Sequence, residues 1–432
     1  MKFYNSFWAI PTLYACTTGA DFVLRHGSPS SVDMQAQPLR DMVQNISAYA
    51  EPRNYGTASK NETRALEPGS VNLVARYGVI VSSFATGKRK LYADANGTLL
   101  NSTDQEDATL DTIYDLASIS KLFTAVAILR EVDAGRIELH APAALYLPEF
   151  GVNGKENITI LNLLTHTGGL LPLPTPDLWK SNYSSIDERV ATLLSLPPQE
   201  PANTVFLYSD IGYMTLRYLL ERVTGYSHEL LVYSYTIPLG MKSTFYNRGN
   251  LEGPLNPFYH RVAPTEFEIQ AQGLEEPQRP QPVRGTVHDE NTWALDGVSG
   301  HAGLFSTVED VAIFCQMILN NGTYHNFRVL SKRAVDLIFT DFNSKFPGNN
   351  YGAGFALNQT YTQGSMRSLQ TASHSGFTGT TLAIDRPSGT FWIHFSNRVH
   401  PSRWWSTNNP ARMALGYWVA KSLGRSATFP IY

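Results

Sequence analysis

Cysteine is almost absent from this sequence. Only two of the 432 residues are cysteines, Cys16 and Cys315. One disulfide at most could form, so cross-links are not what holds this fold together. Cys315 lies in the apolar run "VAIFCQMIL", where we expect a packed, unreactive thiol because buried cysteine behaves as a small hydrophobe.

Long apolar runs and blocks of like charge are also missing. No later segment reaches the ~18 apolar residues that a membrane-spanning helix requires. The net charge is only −3, and no run of basic residues appears. Because binding to phosphate backbones needs a basic surface, nucleic acid is excluded as an expected partner.

Two common catalytic patterns are absent as well. His288 and His301 belong to no E-x-x-H pattern, so we predict no zinc site and no other cofactor. The sequence "GVSGH" around Ser299 lacks the last glycine of G-x-S-x-G, which disfavours an α/β-hydrolase nucleophile turn.

What is present fits a globular α/β protein, with 43% hydrophobic and 16% charged residues. Short β-rich segments occupy both ends of the chain, and helical segments alternate with Pro-rich loops between them. The order predicts an antiparallel sheet built from N- and C-terminal segments and flanked by helices. We expect residues 21–135 and 296–432 to form one α/β sandwich domain and residues 136–295 a mainly helical insert.

The N-terminus predicts export. Residues 1–20, "MKFYNSFWAIPTLYACTTGA", resemble a secretory signal peptide, although polar residues and a proline interrupt the apolar stretch. Eight N-x-S/T sequons, more than the roughly four expected by chance, favour a secreted glycoprotein. The alternative is an intracellular protein with a hydrophobic first helix. The sequons begin at Asn45, Asn61, Asn96, Asn101, Asn157, Asn182, Asn321 and Asn358.

The segment "LASISKLFTAVAIL" contains a lysine in otherwise apolar surroundings. Ser118 and Lys121 are three residues apart and so share one face of a helix. Burial and the positive end of the helix dipole both disfavour an ammonium there. We therefore expect a neutral Lys121 that takes the proton of Ser118. In the structural alternative, Ser118 caps the helix and Lys121 extends to solvent.

Two later stretches carry further candidates. In "FLYSDIGYMTLRYLLERVTG", Tyr208 precedes a helix that Ser209 or Asp210 could cap. It is either a core aromatic or a second proton carrier. In "ASHSGFTGTTLAID", we place His374, Ser375 and Gly376 at the start of a strand, where glycine permits close backbone approach.

The order of these motifs resembles the serine β-lactamase and penicillin-binding-protein superfamily. The similarity extends over about residues 65–425 and is greatest to the class C branch, which includes D-Ala-D-Ala carboxypeptidases, esterases and fungal transesterases. The segments that carry it are "YDLASISK", "LLTHTGGL", "YSDIGY", "PLGMKST", "APTE" and "VHDENTWALDGVSGHAGLFST".

The resemblance implies roles for particular residues. Ser118 would carry the acyl group, while Lys121 and Tyr208 would share the proton transfers. The backbone N–H groups of Ser118 and Phe377 would form the oxyanion hole. His374, Ser375 and Gly376 would line the substrate pocket, with Asp210 nearby.

Two positions depart from the superfamily pattern. His374 stands where lactam-active members commonly have lysine, and neutral histidine holds a carboxylate less firmly. Asp210 stands where asparagine is common, and a carboxylate cannot donate to a substrate amide. Both changes favour an ester over a β-lactam or a D-Ala-D-Ala peptide.

The sequence therefore predicts a serine esterase for a small-molecule acyl substrate. The alternatives are an acyltransferase (transesterase), then a D-Ala-D-Ala carboxypeptidase or β-lactamase, then a non-catalytic binding protein on the same fold. Further expectations are that His166 stabilises a loop and that Trp404, Trp405 and the loop at 170–176 line an acyl pocket, with surface packing as the alternative.

Overall fold

The computed structural model describes residues 22–54, 63–180, 183–249, 258–268 and 279–430. The predicted signal peptide, Cys16 and the sequons at Asn61 and Asn182 lie outside these ranges. Among the described residues, no helix has the length and apolar character needed to cross a bilayer. The helices are α1 (Ala36–Ser47), α2 (Ser120–Asp133), α3 (Ile160–Leu164), α4 (Ile186–Ser195), α5 (Asp210–Thr224), α6 (His228–Leu239), α7 (Glu290–Trp293), α8 (Val308–Leu319), α9 (Lys332–Ile338), α10 (Thr360–Gln363) and α11 (Asn409–Ser422).

The strands are mostly short, and the three longest lie in the centre of the main sheet. They are β1 (Arg25–His26), β2 (Gly69–Arg76), β3 (Val79–Lys90), β4 (Glu106–Asp107), β5 (Tyr114–Asp115), β6 (Phe245–Tyr246), β7 (Leu304–Ser306), β8 (Thr323–Tyr324), β9 (Phe327–Arg328), β10 (Ala356–Leu357), β11 (Thr371–Ser375), β12 (Thr381–Asp385) and β13 (Thr390–Ser396).

The main sheet joins the two ends of the chain, as predicted. Its order is β1-β3-β2-β13-β12-β11-β10, with β4 paired to β3. Strand β13 pairs antiparallel with β2 from Thr390 opposite Arg76 to Ser396 opposite Ser70. All pairings in this sheet are antiparallel except β1 with β3. The predicted fold class is therefore confirmed.

A two-residue turn connects β2 to β3. Tyr77 and Gly78 both have positive φ angles, 48° and 74°, which suits the right-handed twist of a hairpin. The segment "RKLYADANG" is β-rich and closed by Asn-Gly, which predicts a third strand in a series of hairpins. This prediction is wrong beyond Lys90, where β3 ends. There the Asp94 side chain accepts the N–H groups of Asn96 and Thr98 and stabilises a turn.

Helices cover both faces of the sheet. Alternating side chains of β2 enter two different cores: Leu73 packs in the cluster that contains α2 and α8, and Val74 packs in the cluster that contains α1 and α11. Helix α2 lies deep in the first core, where Phe123 stacks on Phe314 with ring centroids 4.3 Å apart. The site described next therefore starts on a helix that is enclosed by protein.

The elements between residues 136 and 295 are α3 to α7 and the short strand β6. This content agrees with a mainly helical segment. Its separation into a domain stays a prediction.

Candidate active site

Ser118 lies in a tight turn that leads into α2. Its neighbour Ala117 has a positive φ of 46°, a strained conformation for a residue with a Cβ atom. The buried carboxylate of Asp115 holds this turn: it accepts the N–H of Ala117 at 2.8 Å and the N–H of His288 at 2.6 Å. Sequence reasoning missed Asp115, because nothing local distinguishes it from other strand residues.

Lys121 is fully buried and contacts the predicted nucleophile. Its Nζ donates to Ser118 Oγ at 2.8 Å and to the carbonyl oxygen of His301 at 3.4 Å. The structural alternative, in which the side chain extends to solvent, is therefore wrong. Ser118 itself is half-buried and lines an open cleft.

The expected neutrality of Lys121 is wrong. Its Nζ lies 2.7 Å from Asp210 Oδ1. Burial alone would lower the pKa of Lys121, but the Asp210 carboxylate and then Tyr208 more than offset this, so the pKa is raised. Asp210 lines the cleft as expected, and it also forms an ion pair with Lys121 from the first turn of α5.

Tyr208 also lies beside Lys121. The Lys121 Nζ atom lies 4.9 Å from the centroid of its ring. Burial raises the pKa of Tyr208, so its phenol carries a proton at neutral pH and can donate it. The ring packs on that of His166 with centroids 4.3 Å apart, and His166 Nδ1 accepts the N–H of Ser209. His166 thus supports the Tyr208 segment.

The backbone around Phe377 lies close to the turn that contains Ser118. A Cβ atom at Gly376 would lie 2.4 Å from the carbonyl oxygen of Leu116, so only glycine allows this segment to approach the Ser118 turn so closely. Over the described part of the chain, neither Ser118 N–H nor Phe377 N–H has a hydrogen-bond acceptor. Both residues line the cleft, and both donors are available to a ligand.

His374, Ser375 and Gly376 line the cleft near Ser118. The first two lie at the end of β11 and not at the start of a strand, which corrects the sequence-based placement. His374 Nδ1 donates to the carbonyl of Ser375 at 2.9 Å, and Nε2 is buried with no hydrogen-bond partner among the described residues. Burial, and then the positive charge of Lys121, lowers the pKa of His374 to about 3, so the ring is neutral.

Two arginines that sequence reasoning missed line this part of the cleft. Arg398 and Arg412 are both buried, and neither forms an ion pair within the described ranges. Arg412 donates to the carbonyl of Gly376 at 2.7 Å, and Arg398 donates to that of Phe377 at 2.8 Å. Burial, and then the positive charge of Arg412, lowers the pKa of Arg398 to about 9. Burial lowers the pKa of Arg412 to about 10.

These guanidinium groups hold the backbone of Gly376 and Phe377 and add positive potential to the cleft. His374 itself is neutral, as expected, and the cationic groups on this side of the cleft are the two arginines. No local pattern marks Arg398 or Arg412, because each reaches the cleft from a distant part of the chain.

The cleft in front of Ser118 has a volume of about 380 Å³ and a partly apolar rim. Three large side chains on the rim are exposed: Leu173 at 46%, Phe377 at 48% and Trp404 at 74%. Trp405 does not line it, since its ring packs against Tyr92 at 5.2 Å. The predicted apolar pocket thus includes Trp404 and the loop at 170–176 but not Trp405.

Two groups of acidic residues and histidine could suggest a metal: Asp210 with Asp289 and His301, and Glu266 with Glu268 and His288. Cationic side chains already contact both groups. Lys121 pairs with Asp210, Arg279 with Glu268, and Arg403 with Glu266. The surroundings therefore fit ion pairs better than a metal centre, and the absence of a cofactor stays a prediction.

Comparisons with known proteins agree with this geometry. The family model described as beta-lactamase matches residues 72–416. The chain belongs to the β-lactamase family. It is 31% identical over 351 residues to a Bacillus subtilis (strain 168) protein named N-acetylmuramyl-L-alanine amidase, which covers 77% of this chain and 78% of that protein.

Other relatives of this β-lactamase-family protein carry different names. A putative D-alanyl-D-alanine carboxypeptidase of Salmonella agona (strain SL483) is 30% identical over 314 residues, 68% of this chain and 71% of that one. Among solved structures, EstCE1, a hydrolase with promiscuous acyltransferase activity, is similar with a TM-score of 0.64 at 19% identity. The match covers 89% of this chain and 99% of that chain. The two curated relatives are named for different activities, and the similarity to EstCE1 shows a shared fold.

Removal of the Asp115 carboxylate tests how the Ser118 turn is held. In Asp115→Ala, the N–H groups of Ala117 and His288 lose their acceptor, and an unpaired buried donor costs about 1–3 kcal/mol. We expect a lower free energy of unfolding in urea and at least a ~10-fold slower acylation of Ser118, because small displacements of reacting groups are costly.

The matched control is Asp111→Ala, four residues upstream, where the carboxylate is 60% exposed. It should change the free energy of unfolding by less than about 1 kcal/mol, because the ion pair of Asp111 with Arg261 is exposed. Wild-type acylation by Asp115→Ala would contradict the role given to Asp115.

Proposed function

We propose that this protein is a serine hydrolase that forms an acyl-enzyme on Ser118 and acts on small or lipophilic esters. The observation that carries the proposal is the contact of 2.8 Å between Lys121 Nζ and Ser118 Oγ at the floor of the cleft. The backbone N–H groups of Ser118 and Phe377, which have no acceptor in the described part of the chain, lie beside the same cleft.

The reaction follows from these positions. Ser118 Oγ attacks the ester carbonyl, and its proton passes to Lys121 and the groups in contact with Lys121. The N–H groups of Ser118 and Phe377 stabilise the oxyanion, and the loss of one such donor typically costs ~3 kcal/mol. Tyr208, protonated because burial raises its pKa, can donate a hydrogen bond to the departing oxygen. Water then attacks the acyl-enzyme by the reverse route.

Three features favour an ester. The exposed rim of Leu173, Phe377 and Trp404 offers apolar surface to an acyl or alkoxy chain. His374 is neutral, and the Asp210 carboxylate faces Lys121. An ester also needs no donor for an amide carbonyl and no acceptor for an amide N–H on its leaving group.

A peptide with a terminal carboxylate is the second candidate. Arg398 and Arg412 have no acidic partner within the described ranges and lie on the side of the cleft that His374 lines. An unpaired guanidinium is suited to a carboxylate. The name of the Salmonella relative agrees with this candidate.

A transesterase is the third candidate, with the same residues but with an alcohol in place of water. A binding protein on this fold is disfavoured, because Ser118, Lys121 and Tyr208 are all present and in contact range.

A substrate panel with an intact-mass measurement tests the proposal. We expect p-nitrophenyl acetate to add one acetyl group to the wild-type protein and none to Ser118→Ala. Turnover should be fastest for short p-nitrophenyl esters, with little hydrolysis of a D-Ala-D-Ala peptide or a chromogenic cephalosporin.

Fast cephalosporin hydrolysis would contradict the ester assignment, and fast release of D-alanine would favour the peptide candidate. Formation of an alkyl ester in the presence of added alcohol would favour the transesterase. No adduct on Ser118 at any pH would contradict all three enzymes.

Secretion and N-glycosylation belong to the same proposal. Asn96, Asn101 and Asn157 are exposed and could accept a glycan, whereas Asn45 is half-buried and its Oδ1 accepts from Trp418. We expect the protein from its native secretion medium to lose mass on treatment with peptide-N-glycosidase, at Asn96, Asn101 or Asn157. Retention of the unmodified protein inside the cell would contradict this.

A further inference from the structure

Asp210 lies near two pairs of side chains in the same cleft. One pair is Ser118 with Lys121, and the other is Asp289 with His301. Its Oδ1 atom is 2.7 Å from Lys121 Nζ. A carboxylate oxygen of Asp210, a carboxylate oxygen of Asp289 and a ring nitrogen of His301 all lie within 4.8 Å of one another. The two pairs are therefore near enough to affect each other's charge.

The two carboxylates have different surroundings. Asp289 Oδ1 accepts the N–H of Thr292 at 2.7 Å and contacts His301 Nε2 at 3.0 Å. Burial would raise the pKa of Asp289, but His301 and Thr292 more than offset this, so the pKa is lowered. Asp210 Oδ1 is buried and accepts no well-aligned hydrogen bond from the described residues. Its close polar contact is Lys121.

A lysine that is already an ammonium can take the serine proton only if it gives up one of its own. Tyr208 cannot receive that proton, because burial keeps its phenol protonated. The carbonyl oxygen of His301, 3.4 Å away, is a hydrogen-bond acceptor and not a base. Among the described groups in contact with Lys121, the Asp210 carboxylate is the one that can act as a base and accept a proton.

We propose that Asp210 receives, through Lys121, the proton that leaves Ser118 during acylation. This inference rests on the acyl-enzyme proposed above and assigns its base. Asp210 does not touch the substrate carbonyl in this scheme; it acts through Lys121.

The step balances in atoms and charge. Ser118 Oγ bonds to the carbonyl carbon as its proton moves to Lys121 Nζ and a proton of Nζ moves to Asp210 Oδ1. Lys121 stays an ammonium, Asp210 becomes a neutral acid, and the carbonyl oxygen holds the electron pair as an oxyanion. When the ester C–O bond breaks, Asp210 returns its proton through Lys121 to the leaving oxygen.

Titratable groups from several elements face Asp210. They are Lys121 on α2, Tyr208 ahead of α5, Asp289 ahead of α7 and His301 ahead of β7, with the neutral rings of His166 and His374 farther out around Lys121.

The test is the pH dependence of acylation in Asp210→Asn, which keeps the shape of the side chain and removes its charge. The release of p-nitrophenol from p-nitrophenyl acetate is measured in a single turnover, with the protein in excess over the ester. This leaving group needs no proton. We expect the acid limb of the rate profile to move to higher pH by more than about one unit. The amine must then act as the base, and amines ordinarily lose their proton ~6 pH units above carboxylates.

The opposite sign would overturn the inference. If Lys121 were itself the base, loss of the Asp210 carboxylate would lower the pKa of Lys121 and move the acid limb to lower pH. An unchanged limb would also overturn it. Release of p-nitrophenol by the wild-type protein no faster than by Ser118→Ala would instead refute the acyl-enzyme itself, so the two failures are distinguishable.

Matched variants separate the effect from general damage. Asp107→Asn removes the carboxylate of another Lys–Asp pair, that of Lys88 and Asp107 at 2.6 Å, which is exposed; it should leave the limb in place. Asp210→Glu should keep the limb near its wild-type position. In Asp210→Ala, added formate should restore acylation at low pH and formamide should not. Equal rescue by both additives would contradict the inference.

Discussion

A buried ion pair between Lys121 and Asp210 is the interaction on which this site depends. Lys121 is fully buried, and an isolated ammonium in such a place is unfavourable by several kcal/mol. The carboxylate 2.7 Å away permits the charge. Removal of one partner from a buried pair typically costs about 3–5 kcal/mol, because the other charge is left uncompensated. The pair is therefore both a structural element and part of the proposed proton path.

The fold brings the two partners together from the ends of two helices. Lys121 lies in the first turn of α2 and Asp210 in the first turn of α5. Side chains of α2 also hold the loop that ends in β7: Ser120 Oγ accepts the N–H of Leu304 at 3.1 Å, and Thr124 Oγ1 donates to the carbonyl of Gly300 at 2.7 Å. These contacts keep His301, whose carbonyl faces Lys121, against the same helix. Small shifts of α2 would thus disturb the nucleophile and its proton path together.

Much of the fold could be predicted from the sequence because its signals are local. Ser209 caps α5 and Gly225, with a φ of 74°, ends it. Thr307 caps α8 in the same way. The close pairing of Ser118 with Lys121 also follows from helical spacing alone. The strand predicted in "RKLYADANG" does not continue beyond Lys90, because a single aspartate, Asp94, stabilises a turn there.

The charge of Lys121 could not be predicted, since its partner is distant in sequence. The sequence shows that Asp210 departs from the superfamily pattern, but it suggests an effect on the substrate and not on the lysine. Arg398 and Arg412 were missed for a similar reason: they reach the cleft from the segment after β13 and from α11. A charge state depends on neighbours in space, and local sequence does not contain them.

The charge of Lys121 in the resting protein is the most direct test of this account. In protein labelled with ¹⁵N-lysine, the Lys121 Nζ resonance can be assigned by its loss in Lys121→Arg and followed as a function of pH. The account predicts the chemical shift of an ammonium at neutral pH, with loss of the proton above the range of an ordinary lysine. A neutral amine at neutral pH would contradict the ion pair and the proton path built on it.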